Sequence, residues 1–593
     1  MEKYIGNNFV DPLDSPLSRR GSFIAFANST NGENLYGKCT LWLCNCRIGM
    51  FAMSGDLHAP NGFRAIKLEL VKNGRVLPVL IETTPYEVVL KSQHGEMRFT
   101  IAERKLAIGK STDGLTLRIT PKDGGMMRES ITETFDELGT KTCGFGATRL
   151  LMVPFEGMLS NCGSYAQITP NEKGETIIGL EDFVLDAIAR PIYEYPSYEE
   201  GLASVKADFD GFCESVCPSV PDEFESGRLQ ALWQTWSMIV DPDGESDYKR
   251  TMVKMVHSIF EAAFVWQQPM QAVWLSGNEA LAWEIFCSGF EYLDKNGRMV
   301  DALSYRLFYG SDALKPPVHG MCLLWLMDNI DMSKISKESK EFVWEGLRRW
   351  TEYFFKFRDY DKDGLPEFLQ TIETGWEDAP YYATIGFPSS SPDLNSMLAL
   401  SLEALAKLGR DIGKEETVCT EYEIRSKSTI DKIVEKYWNG KTWFAFNSKT
   451  GAKSDTSTIS LYVPLILGKR LPQEIIDKSI EFMFAPGGMF TDYGLASEAL
   501  NSDYFIHGFT QGSVIAPAQF LMVLGLEECG RSDLAQKVAH NYCKTMRDNG
   551  FYHIHNALTG KADRSLTAFG EPGLFWSAWA SSGYFWMANR YCK

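Results

Sequence analysis

Two neighbouring stretches hold the residues of this chain best suited to acid–base chemistry. Asp359-Tyr-Asp-Lys-Asp-Gly-Leu-Pro-Glu367 is an acid-rich turn, and Thr371-Ile-Glu-Thr-Gly-Trp-Glu-Asp-Ala-Pro380 follows it closely. In the second stretch the carboxylates Glu377 and Asp378 come directly after Trp376. An indole beside a carboxyl group lowers the local polarity and can keep the group protonated near neutral pH. A protonated carboxyl is what cleaving a glycosidic bond asks of its general acid. Taken alone, Trp-Glu-Asp reads more simply as a solvated acidic loop, so its surroundings decide between the two.

The Gly375–Asp378 corner resembles the Glu-Ser-Gly-Trp-Asp-Asn-Ser segment of the inverting glycosidases grouped around glycoside hydrolase family 63, relatives of the trehalases. Other stretches resemble that family in the same order. They are Cys217-Pro-Ser-Val-Pro221, Ala231-Leu-Trp-Gln-Thr-Trp236, Lys315-Pro-Pro-Val-His-Gly320 (Gln-Pro-Pro-Val in the family) and Asp393-Leu-Asn395. Tyr462-Val-Pro-Leu465, Gln511-Gly-Ser-Val-Ile-Ala-Pro517 and Phe575-Trp-Ser-Ala578 complete the series. The resemblance implies an (α/α)6 toroid preceded by a β-sandwich. It also implies a pair of carboxyl groups roughly 6.5–9.5 Å apart, one protonating the leaving oxygen and one activating water.

Carried over residue by residue, the resemblance puts the acid at Glu377, one methylene longer than the family's Asp. Asp378 takes the role if the loop is shifted by one, and otherwise binds substrate. Glu373 matches the family's Glu and orients the loop or a sugar hydroxyl. Trp266 and Trp376 are the expected sugar platforms, with Trp576 a further candidate. Gln267 stands where the family grips sugar hydroxyls with Asp, so the sugar subsite is expected to differ. The family's base falls on His553, while the nearest carboxylate before the terminal signature is Glu571; both remain candidates. Tyr552 and His553 would also suit a lyase-type β-elimination, and loss of the family's base Glu would suit a non-catalytic sugar binder. The run Asp359, Asp361, Asp363 resembles half a calcium loop but has Gln370 where a bidentate Glu is wanted. No metal and no cofactor is therefore expected.

The chain has 593 residues and a formal net charge of -18. That length calls for more than one core. That charge repels nucleic acid and anionic membranes, which leaves a small-molecule carbohydrate as the expected partner. Thirteen cysteines lack metal-ligand spacing. With no apolar leader or spanning run visible, reduced thiols and a cytoplasmic location are expected.

The first 200 or so residues alternate with period two. Ile66, Leu68 and Leu70 lead to Asn73-Gly74, a hairpin signal. Met97, Phe99 and Ile101, then Leu115, Leu117 and Ile119, repeat the pattern. From Pro218 onward the period is helical, with helices expected over 343–357, 424–437, 516–526 and 532–546. Another is expected from Asp393 as N-cap to Gly409 as C-cap. The expected fold class is multidomain β plus α: a β-sandwich with linker over 1–215, then the toroid over 216–593.

Overall fold

The structure, a computed structural model, describes residues 8–12, 14–28, 40–45, 64–121, 131–134, 136–145, 148–184, 187–256, 262–303, 305, 308–309, 313–562 and 576–593. The chain divides into two compact units. One holds Met1–Glu214 with Leu232–Val240 and Lys254–Ala262. The other holds Ser215–Ala231, Asp241–Val253 and Ala263–Lys593.

The first unit contains two antiparallel sheets. One runs in the order Ile24–Asn28, Leu41–Asn45, Arg64–Lys72, Thr116–Pro121, Ala166–Thr169 and Met158–Asn161. The other runs Thr132–Glu133, Lys141–Phe145, Thr148–Glu156, Thr176–Phe183, Leu106–Ser111, Gly95–Glu103, Val88–Ser92 and Leu80–Thr83. The alternation seen in the sequence is what buries one face. Ile66, Leu68 and Leu70 are at most 1% exposed, while Lys67 and Glu69 are half-buried. Asn73 (φ 50°) and Gly74 (φ 76°) turn the chain so that Val71 pairs with Val76. Leu106, Ile108, Leu151 and Val153 form a core with Tyr195 and Tyr198. Cys44 is buried in its strand, and Cys46 lies outside the described residues.

Helices account for most of the second unit and for the segment leading into it. In chain order they are α1 (Tyr198–Val216), α2 (Asp222–Met238), α3 (Gln267–Trp274), α4 (Glu279–Ser288), α5 (His319–Asn329), α6 (Lys337–Phe357) and α7 (Pro380–Ile385). Next come α8 (Pro392–Asp411), α9 (Glu416–Tyr437), α10 (Gln473–Phe484), α11 (Ala516–Glu528), α12 (Ser532–Asn549) and α13 (Ala578–Tyr591). Caps fix several starts. The Ser336 hydroxyl accepts from Ser339 N at the head of α6, and Ser577 accepts from Ala580 N at the head of α13.

Helix α8 packs against α5, α6 and α9. Gly320 makes the α5 crossing possible, because a Cβ there would lie 2.2 Å from the Ser401 backbone. The Trp344 indole of α6 donates to Leu405 O at 2.9 Å. The ends of α8 differ from those expected. The cap is Ser391, with Pro392 opening the helix and Asp393 inside its first turn. The helix runs past Gly409 to Asp411, and the left-handed residue beyond it is Gly413 (φ 80°). Gly409 instead lets Cys419 and Trp344 approach closely. Among the described residues, no helix is long and apolar enough to cross a membrane.

Candidate active site

The corner that carries Glu377 is built by backbone geometry. Gly375 has φ 71°, a conformation that costs a side-chain-bearing residue energy. A Cβ there would also lie 2.8 Å from Cη2 of Trp266 and 3.3 Å from Cγ of Pro316. Trp376 is buried, and its amide donates to the Thr374 hydroxyl at 2.9 Å. Behind the corner, Glu373 is 1% exposed and forms a two-armed ion pair with Arg358 at 2.9 and 3.2 Å. Its Oε2 also accepts from Leu369 N at 2.8 Å. The described bonds of Glu373 thus hold the loop in place.

From the corner, contacts run in a closed ring. Trp266, at the head of α3, touches Gly375 and meets the edge of Trp579, ring centroids 4.8 Å apart. Trp579, at the start of α13, meets His553 at 5.6 Å. His553 stacks on Phe509 at 5.4 Å. Thr510, next to Phe509, donates from both its amide (2.8 Å) and its hydroxyl (2.5 Å) to Asp378 Oδ1, which returns the path to the corner. Gln511 Nε2 adds a bond to Asp378 O at 2.7 Å. Segments more than 300 residues apart in sequence thereby share one site.

Residues 309–586 match the family model described as the mannosylglycerate hydrolase MGH1-like glycoside hydrolase domain. That match, over just under half of the chain, supports a family 63-like glycosidase domain. A curated mannosylglycerate hydrolase from Rubrobacter radiotolerans is 20% identical over 314 residues, which span 42% of this chain and 70% of that protein. A solved family 63 mannosylglycerate hydrolase from Thermus thermophilus, in complex with Tris and D-glycerate, is 15% identical with a TM-score of 0.52. That match covers 60% of this chain and 99% of the other. A bacterial glucoamylase complexed with acarbose is 9% identical with a TM-score of 0.56, over 99% and 98% of the two chains. At these identities the two solved structures speak for the fold alone, a β-rich region followed by a helical domain.

In the glycosidase domain a buried lysine stands beside Glu377. Lys315 Nζ donates to Glu377 Oε1 at 2.6 Å and to Ile372 O at 2.5 Å. Its side chain is 5% exposed and that of Glu377 18%. Burial pushes the ammonium pKa down, but the charges of Glu377 and Asp301 outweigh burial and leave it raised. Asp301 is 3% exposed, and its Oδ1 has no hydrogen-bond partner among the described residues. Burial pushes its carboxyl up to about 7; Lys315 pulls it down and the charge of Glu377 pushes it further up. Neither Lys315 nor Asp301 was singled out from sequence. The available signal was Lys315 standing in for the family's Gln.

The remaining candidates divide. Burial raises the Asp378 carboxyl, against the hydrogen bonds from Thr510. Gln267 is fully buried, and neither amide atom has a hydrogen-bond partner among the described residues. Trp576 packs edge-on to Phe551 at 5.0 Å and bridges Tyr552 through its backbone. Its described contacts are those of a core residue. Burial pushes both His553 and His555 down to about 4, so both rings are neutral near pH 7. Glu571 lies outside the described residues.

Asp359, Asp361 and Asp363 each offer an oxygen within 4.8 Å of the others, an arrangement open to a cation. Amines already crowd that turn. Lys436 pairs with Asp363 at 3.3 Å, Lys432 donates to Asp363 O, and Lys362 donates to Asp359 O. Glu367, fully buried beside the turn, accepts from Tyr360 N at 2.6 Å, and burial pushes its carboxyl up to about 7.

Proposed function

We propose that the glycosidase domain hydrolyses a small α-glucoside-like oligosaccharide or glycoside with inversion, its helices closing into an (α/α)6 toroid that follows a β-sandwich in the chain. Glu377 is the acid that protonates the leaving oxygen. Glu571, the nearest carboxylate ahead of the terminal signature in the sequence, is the base. His553 forms part of the wall, because burial disfavours the imidazolium it would become on taking a proton. Trp266 offers a ring for a sugar face, Gln267 offers an unpaired amide for its hydroxyls, and Asp378 fixes the edge of the loop. The observation that carries this reading is the closed ring of contacts joining the Gly375–Asp378 corner to Trp266, Trp579, His553 and Phe509.

The test is a panel of α-linked disaccharides, α-glucosides and α-glycosides of short hydroxy acids, the last prompted by the mannosylglycerate hydrolases the domain is similar to. Proton NMR identifies the first anomer released; inversion of an α-linkage yields β. Glu377→Gln and Glu571→Gln are each expected to abolish turnover. If both variants hydrolyse the same substrate at the wild-type rate, or if the α-anomer appears first, the reading is wrong.

A further inference from the structure

An acid beside an ammonium raises a physical question. Lys315 donates to Oε1 of Glu377 from a distance of 2.6 Å. Alone, a cation there would hold the carboxylate ionised, when the reaction needs a proton on it. The structure supplies an offset. Asp301, buried and without a hydrogen-bond partner on Oδ1 among the described residues, sits within electrostatic range of both Lys315 and Glu377. With both carboxyls ionised this buried group of three would carry a net negative charge. With one proton added it is neutral, and low-polarity surroundings favour neutrality.

We propose that Asp301, Lys315 and Glu377 form one charge-coupled unit that holds a single transferable proton between its two carboxyl groups. Lys315 and Asp301 are its positioning residues. The proposal rests on the reading of Glu377 as the acid. Because Lys315 fixes Oε1 as an acceptor, the proton that reaches the substrate leaves from Oε2. In that step the O–H bond of Glu377 breaks, the leaving oxygen takes the proton as it takes the electron pair of the glycosidic bond, and Glu377 becomes a carboxylate. Lys315 stabilises that product charge, so its contact is stronger after transfer than before, which is where it lowers a barrier. Other charges face the unit. Arg298 acts on Asp301, Glu373 acts on Lys315 but is paired with Arg358, and Asp378 neighbours Glu377 with its Oδ1 held by Thr510.

The deciding measurement is infrared difference spectroscopy of the full chain at pH about 6, below the value of about 7 to which burial pushes Asp301. Wild type is expected to show a protonated-carboxyl band that Asp301→Asn removes. Glu377→Gln is expected to remove it too, because Asp301 alone with Lys315 becomes ionised. Lys315→Met keeps or strengthens the band. A band that survives Glu377→Gln means that Asp301 holds its proton independently, and the proposal fails. Should Asp301→Asn not fold, the Glu377→Gln spectrum decides by itself. Hydrolysis separates the two readings. If Glu377→Gln stays active while the band disappears, the acid assignment falls and the coupling stands. In active preparations, Lys315→Gln is expected to move the alkaline limb of kcat/KM upward by about one pH unit or more, a shift that loss of packing would not produce.

Discussion

Replacing Gly375 by alanine tests whether the corner is held by contact as well as by backbone conformation. Two costs are expected. A positive φ costs an alanine about 1–2 kcal/mol. The new methyl group would also lie 2.8 Å from Cη2 and 3.1 Å from Cζ2 of Trp266. That ring cannot swing away freely, because it is 4% exposed and packed on Trp579 at 4.8 Å. Overpacking of this kind typically adds about 1–3 kcal/mol. Gly413 is an internal control: its φ is 80°, and a Cβ there would meet nothing within 4 Å. Gly413→Ala therefore carries only the first cost and leaves hydrolysis unchanged. Gly375→Ala carries both, so the two variants should differ by about 1–3 kcal/mol in denaturant unfolding. A corner displaced by about 1 Å would also lower kcat/KM by about a hundredfold. Shrinking the ring with Trp266→Phe should recover part of the Gly375→Ala loss. Equal destabilisation by the two glycine changes, with hydrolysis intact in both, would refute the claim that Trp266 buttresses the corner.

Three further outcomes are expected. Arg358→Met leaves Glu373 buried without its cation, which should cost about 3–5 kcal/mol by denaturant titration, and adding Glu373→Gln should restore part of it. Thr510→Val keeps the amide bond to Asp378 but removes the hydroxyl donor; a loss of about 1.5–3 kcal/mol is expected, with a lower kcat/KM. His319 is buried, neither ring nitrogen is hydrogen-bonded among the described residues, and burial pushes its pKa down to about 3. Its unfolded counterpart takes a proton near pH 6.5, so stability is full above that pH and is lost as pH falls toward 3. The loss by pH 5 is about 2 kcal/mol. His319→Phe, set among Phe286, Phe290 and Trp350, should flatten that acid slope, and melting curves at about pH 5 and pH 7 compare the two chains directly.

The β-rich half and the helices were legible because each needs only local periodicity. Period two at Ile66, Leu68 and Leu70 sufficed to place a buried face. The expected helix over 343–357 lies inside α6, whose first turn is capped by Ser336 and carries no strong apolar signal. Helix ends were less legible. Pro392 can open a helix, which moves the cap back from Asp393 to Ser391. Gly409 and Gly413 look alike in sequence, but only the second has a positive φ. Of the site, the corner could be read as a motif. Its supports could not, because they come from distant segments: Lys315 from the chain before α5, Thr510 from a loop before α11, and Trp579 from α13. No spacing rule links such residues; only the closed fold brings them together.

The departures from the family pattern have one physical theme. Gln267 stands where the family pattern has a carboxylate, and Lys315, bonded to Glu377, stands where it has an amide. Each change moves local charge in the positive direction, on a chain whose net charge is -18. On the proposed reading, the cation beside Glu377 favours the carboxylate that proton transfer leaves, and an anion is needed to offset it beforehand. The buried carboxyl of Asp301, with no hydrogen-bond partner on Oδ1 among the described residues, is suited to that task. On this view Lys315 and Asp301 should be exchanged together rather than singly. Lys315→Gln combined with Asp301→Asn should leave the alkaline limb of the pH profile nearer wild type than Lys315→Gln alone, because the cation and its offsetting anion leave at once. A double variant whose limb sits where the lysine change alone puts it would show that Asp301 has no share in setting the acid.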